Sequence, residues 1–194
     1  TLRHAMGQID EAVDAAEAAT NLNPNDADNH ALLGLILHDG GRLAEAELSL
    51  RHALSLDPAQ DDARFNLAVV LQRQGHVDKA EIELNHCLHH APEDSKLHRF
   101  LGVLRRTNGD LSGAAKALEK ALSLTPDDVE ALGNLAALRQ DQGRSDDAID
   151  LYKRAAANAP ASAAAHSNLL MSLNYSADDS DALYKAHRQW AERL

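Results

Sequence analysis

Asn66, Asn134 and Asn168 stand 68 and 34 residues apart, both multiples of one step. A side-chain amide carries N–H donors and a carbonyl acceptor, so it can pair with peptide main chain running in either direction. Such contact reads chain rather than side-chain sequence. Lys96 and Arg99 add positive charge between the first two asparagines, with Arg105 and Arg106 following. Residues 95–128 sum to +2 and residues 1–94 to −11, so an acidic ligand should favour the basic segment, with a preference that salt screens. A third set is His86-Cys87-Leu88-His89-His90. His86 and His90 are spaced i, i+4 and would share a helix face, as two metal ligands do. Cys87 falls in an apolar column, however, and no third ligand has a definable position, so neither a metal nor a cofactor is expected. A phosphate loop, a paired-cysteine motif and a zinc-protease motif are all missing from the sequence. With no nucleotide-binding loop and no base beside a nucleophile, this chain is expected not to be an enzyme.

The step of 34 governs far more than the asparagines. All five prolines obey it: Pro24, Pro58, Pro92, Pro126 and Pro160. So do three further columns, which begin at Gly7, Ala12 and Leu33 and each recur five times. A fixed period of this length marks an array of stacked units in which each touches its neighbours. Four full units occupy 27–60, 61–94, 95–128 and 129–162. Residues 1–26 are the back part of a preceding unit, and 163–194 open a further one before leaving the pattern. Inside a unit the apolar spacing is helical: Phe65, Leu67, Ala68 and Leu71 stripe a first helix, and Val77, Ala80, Leu84, Cys87 and Leu88 a second. Gly75 between them suits the left-handed backbone of a helix C-terminus. Prolines suit the turns between units, and Asn23, Asp57 and Asp94 are cap-type residues beside them. The alanine column marks close helix crossings. The expected architecture is all-α, a solenoid of about eleven helices forming a single array over 1–194.

Composition agrees with that form. The chain has 194 residues, 44 % apolar and only 3 % aromatic, so alanine and leucine must do the packing. A formal charge of −11 argues against nucleic acid or an anionic membrane as partner. The single cysteine excludes an internal disulfide and suits a reducing, cytoplasmic setting. No stretch of 18 apolar residues or signal-peptide pattern is present. Thr1 lies inside a repeat, which reads as a piece of a longer protein.

These columns resemble the tetratricopeptide repeat. With each unit numbered from three residues after a proline, residues 27–60 place Leu33, Gly34, Ala46, Leu50, Ala53 and Pro58 at the family's positions. Residues 129–162 place Leu135, Ala136, Ala148, Tyr152, Ala155 and Pro160 there. The aromatic residue of position 4 is replaced by His30, Arg64, His98 and Leu132. The resemblance implies a right-handed α-α superhelix that binds a protein or extended peptide on its concave face. A narrower resemblance is to the repeats of O-linked N-acetylglucosamine transferases, where an asparagine at position 6 recurs as a ladder along the groove. Asn66, Asn134 and Asn168 hold that position, while Leu32 and Phe100 interrupt it. The run Asn168 to Tyr175, followed by Ala186 to Arg193, is similar to the last repeat and joining helix before the catalytic region in bacterial relatives of that transferase and of SPINDLY.

The resemblance therefore implies groove contacts at Asn66, Asn134 and Asn168, with Lys96 and Arg99 as basic additions, in the partner-recruiting part of a larger glycosyltransferase. The alternative is a freestanding assembly scaffold. The clamp for a terminal carboxylate known in chaperone-binding members is matched by Lys96 and Asn66 but not by Ala31, Leu35 or Phe100. Array ends expose apolar faces, so self-association is expected through Met6, Ile9 and Val13 or through a last helix from about Ser180 carrying Leu183, Ala186, Trp190 and Leu194.

Overall fold

A computed structural model describes residues 2–175 together with Arg188. It divides into two compact units, Thr1–Pro92 and Glu93–Leu194. The first holds α1 (Leu2–Leu22), α2 (Ala27–Asp39), α3 (Leu43–Leu56), α4 (Asp61–Arg73) and α5 (Val77–His90). The second holds α6 (Ser95–Thr107), α7 (Leu111–Leu124), α8 (Val129–Asp141), α9 (Ser145–Asn158) and α10 (Ala163–Tyr175). The described residues thus form ten helices and no strand, an all-α repeat fold in agreement with the periodicity. The eleventh helix expected from Ser180, with Trp190, lies outside the described residues, and so does the side chain of Met6. Ile9 and Val13 are covered within the first unit: Val13 is buried, and Ile9 packs against Gly40.

Within each repeat the two helices turn back on one another by the same device. Gly41, Gly75, Gly109 and Gly143 have φ of 75°, 82°, 81° and 74°, the left-handed region that a side chain disfavours. Around Gly41 the Arg42 N–H donates to Leu37 O at 2.9 Å, and the Gly41 N–H donates to His38 O at 3.0 Å. This pair of bonds is the Schellman motif, which satisfies carbonyls left over at a helix end. It repeats from His76 to Leu71, Asp110 to Arg105 and Arg144 to Arg139, at 2.8, 2.9 and 2.8 Å.

The turns between repeats carry the prolines, two residues ahead of the next N-cap. Asp26, Asp94 and Asp128 cap α2, α6 and α8, each accepting from two backbone N–H groups of the first turn. Asp94 caps as the sequence reading expects, but Asn23 and Asp57 do not. An N-cap needs extended backbone directly before the first turn, and Asp26 has it, with φ −93° and ψ 109°. Asp57 instead closes the end of α3 and accepts from the Ala59 N–H at 3.0 Å. Asn23 lies just past α1, where its carbonyl accepts from the Asp26 N–H.

Paired helices touch almost backbone to backbone. Ala46, Ala80, Ala114 and Ala148 are fully buried, as are Ala68 and Ala136 on the opposing helices. Where the opposing residue is Gly34 or Gly102, an added methyl would lie 2.6 Å from Leu50 Cγ or 2.5 Å from Leu118 Cγ. Substituents at position 4 tie repeats to the turn before them. His30 Nε2 and His166 Nε2 lie 2.9 and 3.1 Å from the carbonyls of Pro24 and Pro160, and Arg64 donates to that of Pro58 at 2.7 Å.

Overpacking a tight core position costs about 1–3 kcal/mol. Ala80→Leu is therefore expected to lower the thermal midpoint, whereas Asn66→Ala at a half-buried polar position leaves it near the parent value; differential scanning calorimetry compares the two.

Cys87 offers a second measurement. It is buried, and burial first, with help from Asp61, pushes its thiol up from 9.0 to about 11. Since the thiolate is the nucleophile, a thiol-alkylating reagent at pH 8 should react far more slowly with native than with denatured protein. The raised value favours the neutral thiol in the folded state. The matching share of stability is complete below pH 9 and is lost as pH rises through about 11.

Candidate peptide-binding groove

In the first unit, Asn66 on α4 faces a cavity of about 310 Å³ shared with Leu32, Leu35 and Ala31 of α2 and with Asp28, Gln60 and Asp62. Leu32 and Leu35 are 51 % and 39 % exposed, unusual for leucines on a packed helix. The Gln60 amide donates to Asp28, which joins the α4 start to α2.

In the second unit, Asn134 on α8 and Asn168 on α10 line one cavity of about 690 Å³. The periodic columns put both at the same place in successive repeats, and the fold brings them to a common wall. Asn134 is half-buried and Asn168 exposed. Among the described residues, no protein group bonds the side-chain amide of Asn66, Asn134 or Asn168. All three keep their donors and acceptor available, a requirement for reading a ligand's main chain.

The separation of α8 and α10 is fixed by a polar chain invisible in the repeat columns. The Tyr152 hydroxyl donates to Gln140 Oε1 at 3.2 Å, and Gln140 Nε2 donates to Ser172 Oγ at 3.3 Å. Tyr152 is nearly buried, Ser172 is fully buried, and burial pushes the Tyr152 phenol above its usual value. Tyr152 also lines the cavity, with Gly133, Ala137, Ser162 and Ala164. The amide of Gln140 is thereby used on both sides. The sequence signal for this chain is slight: a tyrosine where the three preceding repeats have Leu50, Leu84 and Leu118, and a serine that is buried in α10.

The basic residues are placed differently from the asparagines. Lys96 is exposed on the first turn of α6. Arg99 reaches both oxygens of the α8 cap Asp128 at 2.9 Å and Glu130 at 2.9 Å. Arg106 bonds Asp141 at 2.7 Å. Arg99 and Arg106 thus also meet Glu130 and Asp141, carboxylates that lie outside 95–128, so the positive sum of that segment overstates the charge offered to a ligand.

The histidine-rich end of α5 separates its members. His90 Nδ1 lies 2.9 Å from Asp61 Oδ1, His86 is exposed, and Cys87 points inward with its thiol toward Asp61 O at 3.7 Å. No cluster of three or more metal-ligating side chains occurs among the described residues. No described helix is long and apolar enough to cross a membrane.

Comparison with known proteins supports this architecture. MamA from Desulfovibrio magneticus RS-1, from residue 41 onward, is 20 % identical with a TM-score of 0.73, over 84 % of this chain and 90 % of that one. TTC0263, a thermophilic TPR protein in Thermus thermophilus, is 24 % identical with a TM-score of 0.72, over 89 % and 94 %. YrrB, described as a TPR protein with an unusual peptide-binding site, is 20 % identical with a TM-score of 0.65, over 93 % of each chain. At these identities the likeness is one of fold. No curated protein matches by sequence. Family models described as tetratricopeptide repeat match residues 3–61, 37–104 and 106–172. With nearly the whole described chain matched, and with glycine-closed helix pairs stacked at a 34-residue step, the chain belongs to the tetratricopeptide repeat family.

Proposed function

We propose that this chain is a binding module that holds an extended stretch of protein main chain against α8 and α10, with Asn134 and Asn168 as the amide contacts. The observation that carries the reading is the pair of unpaired amides on the wall of one 690 Å³ cavity. A cavity of this size is in the range that holds ligands. Its flanking alanines and glycine leave room for chain to approach the helices. YrrB, with the same fold, is itself described as having a peptide-binding site. In the first unit, Asn66 with Leu32 and Leu35 forms a separate contact surface of the same kind. Lys96, exposed at the start of α6, adds at most one weak contact that salt screens, while Arg99 is held by Asp128 and Glu130 and offers the ligand no net charge.

A finer reading sets the module before a glycosyltransferase in a cytoplasmic bacterial protein, where it recruits the acceptor substrate. It is favoured by the recurrence of asparagine at position 6 and by the resemblance of residues 168–175 and 186–193 to a joining segment. Sequencing the parent gene past Leu194 tests it, and an open reading frame with no nucleotide-sugar domain would leave the freestanding scaffold as the better account.

The double substitution Asn134→Ala with Asn168→Ala should weaken binding of unrelated extended peptides to a similar degree. Two lost hydrogen bonds at about 0.5–1.5 kcal/mol each correspond to a loss of roughly five- to 150-fold. Fluorescence anisotropy with labelled members of a random peptide library measures it. Unchanged binding in the double variant counts against the groove.

A further inference from the structure

Three described glycines sit inside the first helix of a repeat, where glycine is less stable than alanine. Gly34 and Gly102 have a packing reason, since a methyl would drive into Leu50 or Leu118. Gly133, in the middle of α8, has none. A methyl built there meets no atom within 4 Å, and its backbone is ordinary right-handed helix with no positive φ. The sequence therefore forgoes helix stability at a position where the fold asks for nothing. That position lies on the wall of the cavity, directly beside Asn134.

We infer that Gly133 is a specificity-determining residue of the groove, and that its missing side chain lets an uncharged, extended peptide main chain lie against α8 within reach of the Asn134 amide. Charge points to the same occupant. Glu130 is the carboxylate lining this cavity, and Arg99 divides its one positive charge between Glu130 and Asp128, so the lining offers no net positive charge to an anionic ligand. The remaining lining is amide, hydroxyl and small apolar groups, which complements a neutral amide backbone better than a charged ligand. Ala137 and Ala164 leave space alongside for a ligand side chain. The inference rests on the groove reading above and adds the chemistry of the occupant and the residue that admits it.

The test uses a pool of capped random nonapeptides enriched on the parent chain. Binding of that pool is measured by anisotropy at low and high salt for the parent, for Gly133→Ala, for Gly133→Leu and for the double asparagine variant. Thermal melts of every variant are recorded, with Gly102→Ala as a control. Gly133→Ala should raise the midpoint by about 2 °C or more, while Gly102→Ala lowers it. Despite its higher stability, Gly133→Ala should bind the pool at least fivefold more weakly, and Gly133→Leu should lose binding. The parent's affinity should change little with salt. If Gly133→Ala is stabilised and binds like the parent while the double asparagine variant is weakened, the inference is overturned and the groove reading stands. Failure to enrich a pool, or unchanged binding in every variant, overturns both. Should Gly133→Leu fail to fold, Gly133→Ala decides alone.

Discussion

The helix pairs of this chain depend on a crossing that admits almost nothing between the two backbones. Fully buried alanines at 46, 80, 114 and 148 face glycine or alanine on the partner helix. In an interior packed to crystal-like density, a contact this close fixes the pair as one rigid piece. The rest of the repeat follows from it. The large side chains Leu50, Leu84 and Leu118 fill the margins of the crossing. The first helix of each pair is then held with one face turned outward, and the groove residues stand on that face. Helix propensity alone would not produce this, because isolated helices of 13 or 14 residues are marginal in water.

Much of the fold was legible because its causes are local and repeat. A glycine in the left-handed region, an alanine at the crossing and a proline in the turn each have one physical explanation, and at least four copies of each remove coincidence. The cap residues were less legible. Asp26, Asp28, Asp57, Asp61 and Asp62 are chemically alike in sequence, and only the backbone angles before the first turn show which one caps. The replacement at position 4 was visible as a departure, but its use was not. That His30, Arg64 and His166 reach back six residues to a proline carbonyl follows from the turn geometry rather than from residue type.

The site divides along the same line. Asn134 and Asn168 could be placed together from periodicity, since residues one repeat apart on the same helix face must adjoin. The charge around them could not. Counting along the chain makes 95–128 basic, yet Arg99 and Arg106 also meet Glu130 and Asp141, carboxylates of the following repeat. Linear sums miss pairs formed across repeats. The Tyr152–Gln140–Ser172 chain was hidden for a related reason. It joins three helices through side chains that share no column, and each member by itself reads as ordinary helix surface or core.

The glycine turns carry a consequence for how such a chain changes in length. Each Schellman closure satisfies its leftover carbonyls inside its own helix pair, through bonds spanning no more than five residues. Removing or duplicating a stretch of 34 residues therefore leaves every other closure chemically complete. Gene duplication can lengthen or shorten such a chain one module at a time, while a change of a few residues inside a module breaks the register of both its helices. Sequence length in this architecture is quantised, and the evenly spaced prolines are the visible record of that quantum.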